Sequence, residues 1–229
     1  MADELLFEDN HLLIVNKPAG LCTQRSIHHA ESLEERWKAR LKVRDQKPGN
    51  VFLHAVHRLD TAVSGIVCFA KSAKARARLS GIFRTGEVEK GYLAIIEGQM
   101  EERSGTLEHW LAHGHHRAVV TREGAEGAKR CVLRYATIRA GATSLVQIQL
   151  ETGRYHQIRA QLAACHHPVV GDAKYGSKRA FHSGAIALHH FRCAFAHPVG
   201  GQRLEIEARF PAYWPEGHLL KRREDRTQP

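Results

Sequence analysis

Short runs of apolar residues that end at turn-forming residues recur along this chain and constrain its fold more than any other feature. The run from His11 to Asn16 leads into Lys-Pro-Ala-Gly, and the run over 65–70 is rich in Ile, Val and Phe; both are typical of buried strands. Further strands are predicted over 91–97, 131–139 and 144–150. Because strands outnumber helices and do not alternate regularly with them, we predict an α+β fold with a largely antiparallel sheet.

Three segments have the pattern of helices, namely 31–42, 73–83 and 152–165. In the first, Leu33, Trp37 and Leu41 recur every four positions and form one apolar stripe. Ser72 is a suitable N-cap for the second. The interval 101–129 is polar and rich in Gly and His, so we predict a loop with short strands there.

The chain is strongly basic, with 34 Lys and Arg residues against 24 Asp and Glu and a formal net charge of +10. This balance suits an anionic partner such as nucleic acid or an acidic membrane surface, although a basic surface also serves solubility alone. No run approaches the roughly 20 apolar residues that cross a bilayer. The start, from Met1 to Glu8, is acidic rather than an export signal. We therefore expect a cytoplasmic protein.

The length of 229 residues allows one domain or two small ones, and we predict one domain over 1–215 followed by a charged tail over 216–229. The five cysteines are an odd number without a C-x-x-C pair, which predicts neither a disulfide framework nor a zinc knuckle. The sequence shows no long apolar heptad pattern, and we expect a monomer.

A polar turn between two apolar runs holds the first candidate for chemistry, Asp60, which follows Arg58 within the segment His57–Gly65. A carboxylate exposed in such a turn can act as a nucleophile or a base, and a nearby arginine favours its charged form. The alternative is an aspartate that only caps the turn and pairs with Arg58.

A second polar cluster places Arg154, His156 and Arg159 at and just inside the start of the third predicted helix. Free backbone N–H groups and cationic side chains attract phosphate or carboxylate there, whereas the alternative is an ordinary solvated helix start. A third candidate is Tyr92, within an otherwise apolar strand, for which the alternative is a core aromatic residue.

Together these segments resemble the RluA-type pseudouridine synthases of ribosomal and transfer RNA over nearly the whole chain. Each motif alone is weak, but their order and spacing together are highly specific. The positions that carry the resemblance are Val15–Gly20, His57–Asp60, Ser64–Gly65, Lys90, Tyr92, Thr152–Arg154, His156–Arg159, His167–Pro168, Gly171–Asp172, Tyr175–Gly176, Leu188–His189, Phe195 and His197–Pro198.

The resemblance implies the pseudouridine synthase fold, in which helices and loops flank a mixed central sheet and the catalytic cleft runs across that sheet. It implies that Asp60 attacks or otherwise stabilises the ribose while the N-glycosidic bond to uracil breaks, after which the base rotates and rejoins through C5. Tyr92 would stack on the target uracil and serve in proton transfer at C5. Arg159 would hold Asp60 charged and oriented. Neither a metal nor a nucleotide cofactor is implied.

The expected partner is structured RNA, either transfer RNA or ribosomal RNA. A stacked or paired base must be extruded before its sugar can be reached, which requires an aromatic platform and basic groups for the flanking phosphates. Arg58 and Arg154 suit the phosphates. His156 is assigned to substrate binding, and Leu162, one helical turn beyond Arg159, would line the pocket.

Two positions differ from the usual pattern of the family. Tyr155 stands where members of the family generally have Thr or Ser. The segment 131–133 is Cys-Val-Leu, where small and hydroxyl-bearing residues are common in the family. We expect Tyr155 to influence which neighbouring nucleotide is accommodated. Because the pattern begins as early as Val15, we also expect a stand-alone catalytic domain. His28 and His29 precede the first helix, where contact with RNA is a further hypothesis.

Other functions fit the sequence less well. The His-rich stretch 109–116 invites a metal site, but a Gly-rich loop without Asp, Glu or Cys ligands is more typical of a solvated turn. A metal-dependent hydrolase needs clustered acids, and Asp60 has no second acid within its segment. A non-catalytic RNA-binding protein with the same fold is the main alternative, although binding alone does not require Asp60, Tyr92 and Arg159 in combination.

Overall fold

The computed structural model describes residues 3–25 and 31–215. His28, His29 and the charged tail 216–229 lie outside the described residues, so the hypotheses on them stay predictions. The helices in the described ranges are α1 (Leu33–Arg44), α2 (Ala73–Thr85) and α3 (Gln157–Ala164). The strands are β1 (Glu4–Glu8), β2 (Leu12–Lys17), β3 (His54–Ala55), β4 (Ser64–Ala70), β5 (Glu89–Glu97), β6 (Ser104–His113), β7 (Ala118–Thr121), β8 (Lys129–Arg139), β9 (Thr143–Leu150), β10 (Leu188–Ala196) and β11 (Arg203–Glu207).

The described strands form one sheet in the order β1-β2-β4-β10-β5-β9-β8-β6-β7, with β3 added to β4 and β11 added to β10. Among these pairings, β4 with β10 is parallel and the others are antiparallel. The prediction of an α+β fold with a largely antiparallel mixed sheet is confirmed.

The central strands are buried on both faces of the sheet, which explains why they read as continuous apolar runs. On β2, Leu13 and Val15 pack in the core cluster that contains α1, whereas Leu12 and Ile14 pack in the cluster that contains Leu79 of α2. The predicted stripe of α1 is confirmed, because its three apolar residues are all buried. Ser72 caps α2 as predicted, accepting a hydrogen bond from the backbone N–H of Ala75.

The parallel contact between β4 and β10 requires glycine at position 65. Gly65 has a φ of +119°, and a Cβ there would lie 2.3 Å from the carbonyl oxygen of His190. Next to it, the Ser64 hydroxyl is 2.8 Å from Nδ1 of His189. No L side chain fits this close approach.

Several boundaries differ from the sequence prediction. The interval predicted as a loop with short strands contains the β6–β7 hairpin, in which β6 is 10 residues long and most residues are exposed or half-buried. Helix α3 begins at Gln157 rather than at 152, because His156 adopts a left-handed backbone with φ 53° and breaks the helical path. Four strands, β1, β3, β10 and β11, had no predicted counterpart.

Candidate active site

Asp60 lies in the loop between β3 and β4, and residues of the β2–α1 segment fix this loop. The hydroxyl of Thr23 accepts a hydrogen bond from the Leu59 N–H at 3.1 Å and donates to the Leu59 carbonyl at 3.0 Å. The Thr61 carbonyl accepts a hydrogen bond from the Lys17 ammonium at 3.2 Å. The Asp60 side chain is 26% exposed. The carboxylate is therefore held on a rigid loop that still opens to solvent.

Lys17 is a buried cation beneath this loop. Besides Thr61, its ammonium donates to the carbonyls of Pro18 at 3.0 Å and Leu21 at 2.8 Å. Burial lowers the pKa of Lys17 to about 7, and the negative charge of Asp60 acts in the opposite direction. Three carbonyl acceptors match the three donors of an ammonium. Sequence reasoning assigned Lys17 no role, although it lies in one of the motifs that carry the resemblance.

Arg159, the third residue of α3, joins two carboxylates. Its Nη1 donates to Oδ2 of Asp60 at 2.8 Å, so the expected contact with Asp60 is present. Its Nε and Nη2 donate to Asp172 at 2.6 and 2.8 Å, which makes that pair bidentate. Burial acts to lower the pKa of Arg159, but the hydrogen bonds and charges of Asp172 and Asp60 raise it overall. The guanidinium stays charged and its plane is fixed by Asp172.

Asp172 was missed as a member of the site, and only its place in the Gly171–Asp172 motif signalled it. It is 1% exposed and lies 13 residues beyond Arg159, directly before a short 3-10 turn over Ala173–Tyr175. A buried carboxylate is costly unless it is paired and hydrogen-bonded. Its pairing with Arg159 meets that requirement.

His156 is the N-cap residue of α3 and is 8% exposed. The Tyr175 hydroxyl donates to the Ala118 carbonyl at 3.1 Å and accepts from the Ala118 N–H at 2.8 Å. It can therefore also accept a hydrogen bond from the Nδ1–H of His156, 3.0 Å away, while Nε2 of His156 accepts one from Nη1 of Arg159 at 2.9 Å. Burial lowers the pKa of His156 to about 4, in agreement with this neutral tautomer.

Tyr92 lies on β5 with its ring packed against His190 of β10. The ring centroids are 4.4 Å apart with 14° between the planes, and the two residues are cross-strand partners. Tyr92 is 7% exposed, and burial raises its pKa far above the usual value of 10. The phenol is therefore protonated and can act as a proton donor. His190 is fully buried and supports one face of the ring.

One pocket contains most of the residues singled out in the sequence. It is lined by Arg58, Leu59, Asp60, Val63, Tyr92, Leu150, Arg154, His156, Gln157, Ile158, Arg159 and Leu188. Arg58 and Arg154 are exposed there. Leu162 is the exception: it is fully buried in the main core cluster, and Ile158, one turn earlier on α3, lines the pocket instead. The pocket lies at the start of α3, which explains the difference.

The His-rich stretch is more ordered than a solvated turn. His109 lies within β6, where its Nδ1 is 3.1 Å from the side-chain amide of Gln161. Across the described ranges, no group of three or more His, Cys, Asp or Glu side chains is placed to hold a metal ion. Likewise, no helix in those ranges is long and apolar enough to cross a membrane.

The fold matches solved structures of one class. Human RNA Pseudouridylate Synthase Domain Containing 4 superimposes with a TM-score of 0.78 at 20% identity, covering 93% of this chain and 91% of that one. Human RNA Pseudouridylate Synthase Domain Containing 1 gives a TM-score of 0.69 at 24% identity, covering 92% and 84%. The fold is thus the pseudouridine synthase fold.

Sequence comparisons agree with the fold. The family model described as RNA pseudouridylate synthase matches residues 11–164. The Bacillus subtilis protein named uncharacterized RNA pseudouridine synthase YhcT is 36% identical over 215 residues, covering 91% of this chain and 69% of that protein. tRNA pseudouridine synthase C of Salmonella typhi is 33% identical over 92% of this chain and 86% of its own. Ribosomal large subunit pseudouridine synthase C of Haemophilus influenzae is 32% identical, over 91% and 65%.

The chain therefore belongs to the RNA pseudouridylate synthase family, of the RluA type, and is an isomerase that acts on RNA. The resemblance found in the sequence is confirmed.

Proposed function

We propose that this enzyme converts specific uridines of transfer RNA or large-subunit ribosomal RNA to pseudouridine, with Asp60 as the catalytic carboxylate. The observation that carries the proposal is the Asp60 carboxylate at the pocket surface, 2.8 Å from a guanidinium that Asp172 also binds. The substrate classes are those in the names of the Salmonella and Haemophilus relatives.

The reaction is an isomerisation, so its atoms balance without a co-substrate. The bond between C1′ of the ribose and N1 of uracil breaks while Asp60 attacks or otherwise stabilises C1′. The uracil rotates, C5 bonds to C1′, the proton on C5 leaves, and N1 gains a proton. The isomerisation involves no net oxidation or reduction, so the proposed reaction requires no redox cofactor, and we propose no metal for it.

The other pocket residues divide between the base and the backbone of the RNA. Tyr92, which lines the pocket, is assigned to stacking on uracil, and its hydroxyl is assigned to relaying the C5 proton by giving up its own proton as it receives another. Exposed Arg58 and Arg154 are assigned to phosphates next to the extruded nucleotide. His156 is assigned to orienting the substrate beside Asp60.

Three further parts of the proposal concern the whole protein. We propose that residues 1–215 act as one catalytic domain, that the enzyme works as a monomer, and that it acts in the cytoplasm, where transfer and ribosomal RNA are used. Size-exclusion chromatography with light scattering tests the monomer, because a dimer mass would contradict it.

Pseudouridine mapping tests the activity and names the substrate. Total RNA from cells with and without the gene is labelled with carbodiimide and read by primer extension. We expect one or a few sites to disappear and to return with the wild-type gene but not with Asp60→Asn. If Asp60→Asn restores them, the role of Asp60 is wrong. If the map does not change, purified protein with transcribed RNA separates a non-catalytic RNA-binding protein from redundancy with a paralogue.

A further inference from the structure

Three stacked rings connect the turn of the β6–β7 hairpin with the pocket of Asp60. The rings of His113 and Tyr155 lie 4.6 Å apart with 6° between their planes, and those of Tyr155 and His156 lie 3.9 Å apart with 23° between them. The imidazole of His156 is in turn 3.5 Å from the Asp60 carboxylate. We call His113, Tyr155 and His156 the ring stack.

The ring stack becomes more exposed with distance from Asp60. His156 is buried, Tyr155 is 39% exposed, and His113 is exposed. Tyr155 is the one described ring that contacts His113, so the outer face of that imidazole has no aromatic neighbour in the described ranges. The Tyr155 hydroxyl donates to the His116 carbonyl at 3.4 Å, which fastens the hairpin turn to the stack.

Cations lie at both ends of the ring stack. Lys174 donates to the His116 carbonyl at 3.1 Å, and Arg117 donates to the Lys174 carbonyl at 3.4 Å, so both lie at the hairpin turn. Arg58 and Arg154 lie at the pocket. Within the described ranges, none of these four cations has a carboxylate within 4.0 Å. Their charges are available to an anion.

We propose that the ring stack is a second subsite, which binds an unpaired base close to the target uridine in the RNA chain. This inference rests on the proposed function, because it assumes that a uridine occupies the pocket of Asp60. The base continues the stack on the outer face of His113, and Arg117 and Lys174 contact its phosphate. Aromatic faces beside cations are the usual means by which proteins hold unpaired nucleotides.

A purely structural role for the stack leads to different expectations. If the rings only anchored the hairpin, the identity of the neighbouring base would not affect binding. A stacked base contributes enough for its removal to weaken binding about tenfold or more. A purine, which has the larger face, should bind more tightly than a pyrimidine at this subsite.

The test compares two short single-stranded RNAs that each contain one uridine. In the first, adenosines flank the uridine; in the second, the flanking adenosines are replaced by abasic riboses, which leaves the phosphates in place. Their affinities for the full chain are measured by fluorescence anisotropy. His113→Phe, which keeps an aromatic face, and His113→Leu, which keeps apolar contact without one, are matched variants.

We expect wild type and His113→Phe to prefer the adenosine RNA about tenfold or more, and His113→Leu to lose most of that preference. Equal affinities of wild type for the two RNAs would overturn the proposal in favour of phosphate contacts alone. Undiminished preference in His113→Leu would overturn it as well. Because the assay measures binding, it is independent of pseudouridine formation, and failure of the proposed activity would be recognised separately from the RNA map.

Discussion

Arg159 and Asp172 form a bidentate ion pair with side chains only 7% and 1% exposed. This pair leaves Nη1 of the guanidinium directed at Asp60 and His156. Asp172 thus determines the orientation of the group that holds the proposed catalytic carboxylate, without contacting the substrate pocket itself.

Asp172→Asn should damage both stability and turnover. Removing one charge of a buried pair leaves the other uncompensated and costs about 3–5 kcal/mol of unfolding free energy. We expect turnover to fall much more than RNA affinity, because Arg58 and Arg154 remain. Urea unfolding and single-turnover assays measure these effects. Asp45→Asn, which breaks an exposed pair with Arg44, is the control and should have little effect on either. Wild-type turnover in folded Asp172→Asn would contradict the positioning role.

Tyr92→Phe separates the ring from the hydroxyl. The phenylalanine ring keeps the packing against His190, so we expect stability and RNA affinity to change little. If the hydroxyl relays the proton at C5, turnover should fall about 10²- to 10⁴-fold. Tyr135→Phe, at a second buried tyrosine of the same sheet that does not line the pocket, should keep normal turnover. Unchanged turnover in Tyr92→Phe would exclude proton transfer by the hydroxyl and would leave stacking as the role of Tyr92.

Arg154→Ala should weaken RNA binding in a salt-dependent way. If Arg154 contacts one phosphate, the slope of log affinity against log salt should become shallower by about 0.7–0.9. Arg203→Ala is the control, since Arg203 already pairs with Glu89 and Glu205. Binding titrations over a range of salt concentrations measure the slopes. Equal slopes for wild type and Arg154→Ala would refute the phosphate contact.

His156 should make stability depend on pH in weak acid. Because burial lowers its pKa from 6.5 to about 4, the unfolded chain binds a proton below pH 6.5 that the folded chain does not bind until about pH 4. The unfolding free energy should therefore fall with decreasing pH in this window, by up to about 1.4 kcal/mol per unit for this group.

His156→Asn removes the titrating group, and asparagine tolerates the left-handed backbone at this position. We expect a flatter dependence of unfolding free energy on pH between 6.5 and 4, measured by urea unfolding at several pH values. Some dependence of the unfolding free energy on pH should remain, because other buried histidines also titrate; burial lowers the pKa of His189 to about 3. A slope identical to wild type would mean that His156 does not titrate in this range.

The fold could be predicted where the residues of a single strand or helix carry a clear apolar pattern. The runs of β2 and β4 are apolar throughout because both faces are covered, and the stripe of α1 repeats at helical spacing. For the edge hairpin β6–β7 only short strands within a loop were predicted, because its partly exposed strands carry polar residues. Strand β10 was missed because His189 and His190 interrupt its apolar pattern, although both are fully buried.

The candidate site shows the same limit. Asp60, Tyr92 and Arg159 could be named from their motifs, and the structure brings them into one pocket. The ion pair between Arg159 and Asp172 forms because the segment after α3 folds back onto the helix. The spacing of the two residues in the sequence does not reveal this. Leu162 was placed in the pocket by counting one turn from Arg159, but only the first turn of α3 lines the pocket.

The position of β10 in the sheet has a consequence for protein synthesis. It lies between β4, which follows the loop of Asp60, and β5, which carries Tyr92, yet it is translated long after both. A nascent chain that ends before Leu188 lacks the strand that joins these two halves, as well as one residue of the pocket lining. On the ribosome, a growing chain of this protein is surrounded by RNA while the pocket of Asp60 is still incomplete. Competence to modify RNA thus arrives only after β10 has been synthesised and has paired with β4 and β5.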